Sequence, residues 1–244
     1  VLLVSSGGIA AGSEKLSFPE LPHFLPGKQM LAAIGQPRLM AVYTRLFELY
    51  QQEIAQVLLT RDDLADRRRY LNARNTLEAL LDYGVVPIIN ENDTIATEEI
   101  RFGDNDNLSA LIANVLEADL LLLLTDRDGV YREDPGINPA AELIERVGDE
   151  PIPPALLAAA GGSKSGLGTG GMASKLSAAG LARHSGAAVV IANGSAPDVI
   201  SRIVLAGEQV GTYFTPLTTH LESRKRFLLA GMAEATGSLV VDGG

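Results

Sequence analysis

Short apolar runs alternate along this chain with longer segments of helical periodicity. In the clearest such segment, 108–118, apolar residues recur at intervals of three and four, which indicates an amphipathic helix. Continuous apolar runs are typical of strands buried on both faces, and their alternation with helices indicates a mainly parallel sheet. The sequence therefore predicts an α/β fold with a mainly parallel sheet that helices cover on both faces. The runs that we predict as strands include 1–4, 54–59, 85–89, 120–124 and 187–192.

Charge and composition exclude several classes of protein. The chain has 20 Lys and Arg against 30 Asp and Glu, a net charge of −10, whereas a nucleic-acid surface needs clustered cations. It has no cysteine, which excludes disulfides, thiolate catalysis and Cys-bound metals and permits a reducing compartment. The leucine run at 120–124 is far shorter than the roughly 20 residues of a membrane-spanning helix. We expect a cytoplasmic protein with no nucleic-acid or membrane partner.

The loop after the first predicted strand is rich in small residues. In parallel sheets, ligands bind in the loops beyond the carboxyl ends of the strands. The sequence Ser-Ser-Gly-Gly at 5–8 would let backbone N–H groups approach an anion closely, and a helix start would add its dipole. A tight strand-to-helix turn explains the same residues equally well.

Two later segments combine Asp and Asn. Asn-Glu-Asn-Asp-Thr at 90–94 follows a predicted strand, and Gly-Asp-Asn-Asp-Asn at 103–107 precedes the helix predicted from Leu108. Asp and Asn are favoured helix caps, but one cap needs only one such residue. The surplus favours a site for an ammonium group or for catalytic lysines over simple capping.

A glycine-rich stretch, 166–171, leads into a predicted helix whose first turn holds Lys175. It matches GxGxxG in spacing, but no clear strand precedes it, and it is not a Walker A loop. Backbone N–H groups beside a cation favour phosphate binding, and a flexible linker with a solvated lysine is the alternative. Thr125-Asp126 follows the leucine run at the position of a nucleotide contact, although its residues also suit an Asp-Gly turn.

Five motifs in this order resemble the amino acid kinase family, in particular members that phosphorylate glutamate: SSGGIAAG, PIINENDT, FGDNDNLSA, LLLLTDRDGVY and SGLGTGGMASK. The resemblance implies a three-layer α/β/α sandwich with an open, mainly parallel central sheet. It also implies a kinase domain over 1–229, with the acidic substrate bound in its N-terminal part and ATP in the part from about 119. It implies a Gly- and Lys-containing phosphate loop before Val1, without which this chain should be inactive. Residues 230–244 then form a linker and the possible start of a truncated PUA domain.

The resemblance also implies roles for residues at matching positions. Asp106 would orient the catalytic lysines, and Lys175 would neutralise the phosphoryl group during transfer. The implied substrate contacts are Ser6, Gly7, Asp93, Asp104 and Asn105. The implied nucleotide contacts are Thr125, Asp126, Thr169, Gly170, Gly171, Met172, Ala173, Ser174 and Lys175.

The implied activity is phosphorylation of the glutamate side-chain carboxylate by Mg-ATP, the first step of proline biosynthesis. Proline is the implied inhibitor, acting near 14–28, and a dimer or tetramer is expected. No spacing of His, Asp and Glu predicts a protein-held metal, so Mg²⁺ would arrive with the nucleotide phosphates. Three alternatives remain open. They are a family member that acts on acetylglutamate, aspartate, carbamate or UMP, a non-catalytic nucleotide-binding regulatory subunit, and the kinase half of a bifunctional synthase.

Overall fold

The computed structural model describes residues 1–17, 24–96, 104–154, 156–157 and 171–219. The predicted linker at 230–244 lies outside these residues. In the N-terminal half the elements are β1 (Leu3–Val4), α1 (Gly8–Leu16), α2 (Leu25–Glu48), β2 (Ile54–Leu59), α3 (Arg61–Ala65), α4 (Arg67–Asp82) and β3 (Val86–Glu91). They continue with α5 (Asp104–Val115), β4 (Leu120–Thr125), β5 (Arg146–Val147), α6 (Met172–His184), β6 (Ala188–Asn193), α7 (Val199–Val204) and β7 (Thr212–Phe214).

The described strands form two sheets. In the first sheet, of order β1-β3-β2, every pair is parallel, with Val4 opposite Ile89. In the second, of order β4-β6-β7-β5, β4 and β6 are parallel and β7 runs antiparallel to β6. The predicted α/β class with mainly parallel strands is confirmed, and the described strands lie in one sheet of three strands and one of four.

Helix α5 joins the two halves of the described chain. It packs against β1 and β3 of the first sheet, β4 of the second, and α6. Its side chains enter two hydrophobic cores, because Leu108 and Ile112 pack with Ile89 of β3 whereas Ala110 packs with Leu176 of α6. Helix α5 thereby contacts both sheets.

The predicted start of α5 is wrong by one helical turn. We expected the helix to begin at Leu108, after a polar loop, but it begins at Asp104. Carboxylates in the first turn are favourable because the N-terminal end of a helix carries partial positive charge. Asn105 and Asp106 therefore project from a rigid helical turn, rather than from a loop.

Helices α1 and α2 pack with their backbones in contact. A Cβ atom on Gly35 of α2 would lie 1.7 Å from the carbonyl oxygen of Gly8, and one on Gly12 of α1 would lie 2.0 Å from that of Leu31. Gly7, before α1, has a φ of 112°, a backbone conformation that favours glycine. These glycines fix the loop at residues 5–8 against α2.

Arg183 of α6 ties this helix to two loops. Its guanidinium is fully buried, and its Nε donates to the carbonyl oxygen of Thr215 at 2.6 Å. Its Nη2 donates to the carbonyl oxygens of Glu150, at 3.0 Å, and Gly148. Burial lowers the pKa of the Arg183 guanidinium below its usual value, and the charge of Asp149 opposes this shift.

Among the described residues, no helix combines the length and the apolar character needed to cross a membrane. The fold is instead held together by the two cores and by buried polar anchors such as Arg183.

We predict that Gly35→Ala lowers the free energy of unfolding by about 3 kcal/mol, because the added methyl group must push α1 away from α2. Gly148→Ala is the control, since a Cβ at Gly148 meets no atom within 4 Å. The control should stay within about 0.5 kcal/mol of the unmodified protein. Urea unfolding curves measure both changes, and equal stability of the two variants would contradict the close helix contact.

We predict that Arg183→Met also costs about 3 kcal/mol, because buried carbonyl oxygens lose a charged donor. Arg183→Lys should recover little of this loss, since one ammonium cannot reproduce a planar fork of donors. Arg132→Met is the matched control, because Arg132 is 65% exposed in its pair with Glu142 and such surface pairs contribute about 1 kcal/mol or less. Denaturant unfolding that ranks Arg132→Met as the more harmful change would refute this anchor role.

Candidate active site

The carboxyl ends of β1 and β3 meet the start of α1. The backbone N–H of Ser5 donates to the carbonyl oxygen of Ile89 at 2.8 Å, and its hydroxyl lies 2.7 Å from that of Tyr43 in α2. Ser6 is exposed, and Gly7 leads directly into α1. The predicted substrate contacts Ser6 and Gly7 therefore lie where backbone N–H groups of a helix N-terminus are available.

Carboxamide side chains connect this loop to α5. The Nδ2 of Asn105 donates to the carbonyl oxygen of Ser5 at 3.2 Å and to Oδ1 of Asn90 at 3.0 Å. Asn90, at 2% exposure, in turn donates its Nδ2 to Oε1 of Gln36 in α2 at 2.9 Å. The loop after β1, the end of β3 and the first turn of α5 thus form one hydrogen-bonded unit.

The oxygen of the Asn105 carboxamide is an unfilled acceptor. With Nδ2 directed at Ser5 and Asn90, Oδ1 of Asn105 is buried and accepts no hydrogen bond from the described residues. A buried acceptor without a donor is costly. A bound molecule with an ammonium or N–H group would remove that cost.

The second part of the site joins α5 to α6. The Nζ of Lys175 lies 3.2 Å from Oδ2 of Asp106, and the two side chains are only 11% and 16% exposed. The hydroxyl of Ser174 is 2.6 Å from the same carboxylate oxygen and 2.7 Å from the carbonyl oxygen of Gly171. Asp106 therefore holds the first turn of α6 and the ammonium group of Lys175 in place.

The position of Lys175 is electrostatically unusual. A cation in the first turn of a helix lies near the positive end of the helix dipole, which disfavours it. Asp106 offsets this repulsion in the present arrangement. An anion placed before α6 would interact favourably with Lys175 and with the N–H groups of the first turn, including those of Met172 and Ala173.

The ends of β4 and β6 form a third group of polar residues. The hydroxyl of Thr125 lies 3.2 Å from Oδ1 of Asp126, and the N–H of Gly194 donates to the carbonyl oxygen of Thr125 at 2.8 Å. Nδ2 of Asn193 donates to Oδ1 of Asp128 at 2.9 Å. Because β4 and β6 are parallel, these groups share one edge of the sheet.

The N-terminus of α6 lies at this same edge. Helix α6 packs against β4 and β6, and only residues 185–187 separate it from the start of β6. So short a connection makes the helix run antiparallel to the strand that follows it. The first turn of α6, with Lys175, is consequently close to the carboxyl ends of β4 and β6.

The predicted site residues thus fall into groups. Asn105, Asp106, Ser174 and Lys175 are connected by contacts, and Ser6 and Gly7 adjoin them through the loop that accepts from Asn105. Gly171, Met172 and Ala173 lie at the start of α6, and the other predicted contacts lie at strand ends, in a turn or outside the described part. Asp93 lies in the turn after β3, Thr125 ends β4 and Asp126 follows it, and Thr169, Gly170 and the side chain of Asp104 lie outside the described residues.

Sequence reasoning missed the supporting residues of this site. Neither Gln36 nor Tyr43 was predicted to contact it, and Asn90 was assigned no separate role. A signal was present for Gln36, because it lies four residues after Ala32 and one after Gly35, on a helix face that is buried. A glutamine on such a face must find polar partners.

Comparison with known proteins identifies relatives along the whole chain. The model of the amino acid kinase family matches residues 1–193. A glutamate 5-kinase from Photobacterium profundum is 56% identical over 244 residues, 100% of this chain and 64% of the relative. One from Shewanella oneidensis is 55% identical with the same coverage. The chain thus spans less than two thirds of the length of these relatives.

Solved structures share the fold at low sequence identity. Uridylate kinase from Archaeoglobus fulgidus superposes with a TM-score of 0.55 at 19% identity, covering 88% of this chain and 84% of that one. Aspartokinase III from E. coli gives a TM-score of 0.54 at 18% identity, with 86% and 44% covered. The family match over most of the chain agrees with this α/β fold, and the protein is a member of the amino acid kinase family.

Proposed function

We propose that this chain belongs to the catalytic domain of a glutamate 5-kinase, which transfers the γ-phosphoryl group of ATP to the side-chain carboxylate of glutamate. The product is γ-glutamyl phosphate, in the first step of proline biosynthesis. One observation carries the proposal most directly, the contact of Asp106 with Lys175. This contact joins α5, which we expect to bind the amino acid, to α6, which we expect to bind the phosphates.

The proposed reaction needs no general base. A glutamate carboxylate is already ionised at neutral pH, because its pKa is about 4.3. One of its oxygens attacks the γ-phosphorus, the bond from this phosphorus to the bridging oxygen breaks, and ADP leaves. Since both reactants are anions, catalysis depends on positioning them and offsetting their charge. Lys175 and the N-terminus of α6 would provide this charge.

The proposed amino acid site lies around Asn105. The substrate ammonium needs carbonyl or carboxylate oxygens as acceptors. The buried and unfilled Oδ1 of Asn105 is such an acceptor, and Asp93 and Asp104 would add carboxylates. Ser6 and Gly7 would bind a carboxylate of the substrate through the loop before α1.

The proposed nucleotide site lies along the ends of β4 and β6 and the start of α6. Thr125 and Asp126 would contact the nucleoside, and residues 169–175 the phosphates. In the described part of the chain no three His, Cys, Asp or Glu side chains gather into a metal site. The donors at α6 suit phosphates, so Mg²⁺ would be bound chiefly by the nucleotide, where it offsets phosphate charge.

Solved structures support the substrate class. The aspartokinase III structure with a TM-score of 0.54 to this chain is a complex with aspartate and ADP. An amino acid and a nucleotide therefore bind together in a protein of this fold. The identities of 54–56% to glutamate 5-kinases favour glutamate over aspartate, acetylglutamate, carbamate or UMP.

Further properties belong to this proposal. They are inhibition by proline near residues 14–28, assembly into a dimer or tetramer, a cytoplasmic location where ATP is available, and a kinase domain at 1–229. Their support is the resemblance to glutamate 5-kinases.

A substrate panel tests the proposal. The full-length protein is incubated with Mg-ATP and either glutamate, aspartate or acetylglutamate, and the acyl phosphate is trapped with hydroxylamine. We predict hydroxamate with glutamate at a kcat/KM at least about 100-fold above the other two, because a site built for one substrate leaves polar groups unpaired with another. Adding proline should lower the rate. Turnover of acetylglutamate or aspartate alone would assign a different member of the family.

We predict that Lys175→Ala in the full-length protein lowers kcat for glutamate about 100-fold or more, as expected for loss of one preorganised charge at the transferred group. KM should change much less, since the charge acts mainly on the transition state. Arg202→Ala is the control, because Arg202 pairs with Glu208 on the surface and is not among the predicted site residues. Near-normal turnover by the Lys175 variant would rule out its proposed role.

A further inference from the structure

Gln36 is a buried glutamine behind the proposed amino acid site. It lies on α2, next to Gly35, whose contact with Gly8 holds α1 and α2 together. The residue is 9% exposed, and its Oε1 accepts a hydrogen bond from Nδ2 of Asn90 at 2.9 Å. Its Nε2 lies 3.4 Å from the exposed side chain of Gln56. The inner bond, to Asn90, is therefore the shorter and better protected one.

The described contacts allow one orientation for each carboxamide behind Asn105. Oδ1 of Asn90 accepts from the backbone N–H of Glu91 at 2.9 Å, so Nδ2 of Asn90 must point the other way, at Gln36. The same Oδ1 accepts from Nδ2 of Asn105. Asn105 must then present Nδ2 to Asn90 and Ser5, and its Oδ1 to the position that a substrate donor would fill.

Loss of the Gln36 acceptor would disturb the orientations of the Asn90 and Asn105 carboxamides. The Nδ2 of Asn90 would be a buried donor without an acceptor, which is unfavourable. A rotation of Asn90 that brought its Nδ2 to another acceptor would move Oδ1 away from both the backbone N–H of Glu91 and Nδ2 of Asn105. Asn105 would then sample several orientations, although its neighbour Asp106 is still held by Lys175.

We propose that Gln36 is a positioning residue for the amino acid substrate: it holds Asn90 and, through Asn90, directs the Asn105 carboxamide at the bound amino acid. The inference rests on the proposed function, because it assigns the substrate ammonium to Asn105. It implies that binding of the amino acid, and not of the nucleotide, depends on α2. A purely structural role would instead weaken the whole fold and affect both substrates alike.

The kinetic test uses Gln36→Met in the full-length protein. We expect the KM for glutamate to rise about tenfold, as for loss of one hydrogen bond in a buried network, with the KM for ATP unchanged and kcat lowered less than threefold. Gln36→Glu retains an oxygen for Asn90 and should restore part of the glutamate affinity. Gln52→Met is the matched control, since Gln52 donates to Gly84 at 2.6 Å and has no part in the carboxamide network. An equal rise of both KM values, or none, would overturn the inference.

A second measurement does not depend on the substrate. In ¹⁵N spectra of the asparagine-labelled protein, the side-chain amide of Asn105 is assigned by its loss in Asn105→Ser. We expect its protons to exchange slowly with solvent in the unmodified protein and about tenfold faster or more in Gln36→Met, but not in Gln52→Met. Unchanged exchange in Gln36→Met would refute the positioning role.

Failure of the unmodified protein to phosphorylate glutamate would refute the proposed function, while the exchange data would still decide whether Gln36 orients Asn105.

Discussion

The contact between Asp106 and Lys175 is the interaction on which the site depends. It links the first turns of two helices that belong to different halves of the described chain, at a distance of 3.2 Å. Both helix N-termini carry partial positive charge, so the carboxylate of Asp106 is favoured there while Lys175 is disfavoured. The pair therefore holds the ammonium group of Lys175 close to the position where a phosphate would be stabilised. Asp106 keeps this group ordered before the phosphate binds.

A polar site of this kind needs a stiff support, and the chain provides it in two ways. On the amino acid side, glycines let α1 and α2 pack closely together. A chain of carboxamide hydrogen bonds then connects α2, β3 and α5, through Gln36, Asn90 and Asn105. On the nucleotide side, Arg183 fixes α6 to backbone carbonyls of neighbouring loops. In both places, buried polar groups are directed by hydrogen bonds, because an unpaired group would be costly.

Much of the fold could be predicted because its strands are short and strongly apolar. The strand predicted at 54–59 has the bounds of β2, and that predicted at 120–124 differs from β4 by one residue. The start of α5 was placed at Leu108 instead of Asp104, because four polar residues resemble a loop. Local sequence could not reveal that the first turn of α5 is stabilised by its contacts with α6 and the loop after β1.

The sequence by itself determined the alternation of helices and strands, the absence of cysteine chemistry, and the polar and glycine-rich loops that match the amino acid kinase family. These properties depend on local periodicity and residue type. Only the tertiary structure decided that Lys175 meets Asp106, across 69 positions of the chain, and that Gln36 reaches Asn90 across 54. Such pairs depend on how α2, β3, α5 and α6 pack in space, and no local pattern encodes which polar side chains a fold brings within hydrogen-bonding distance.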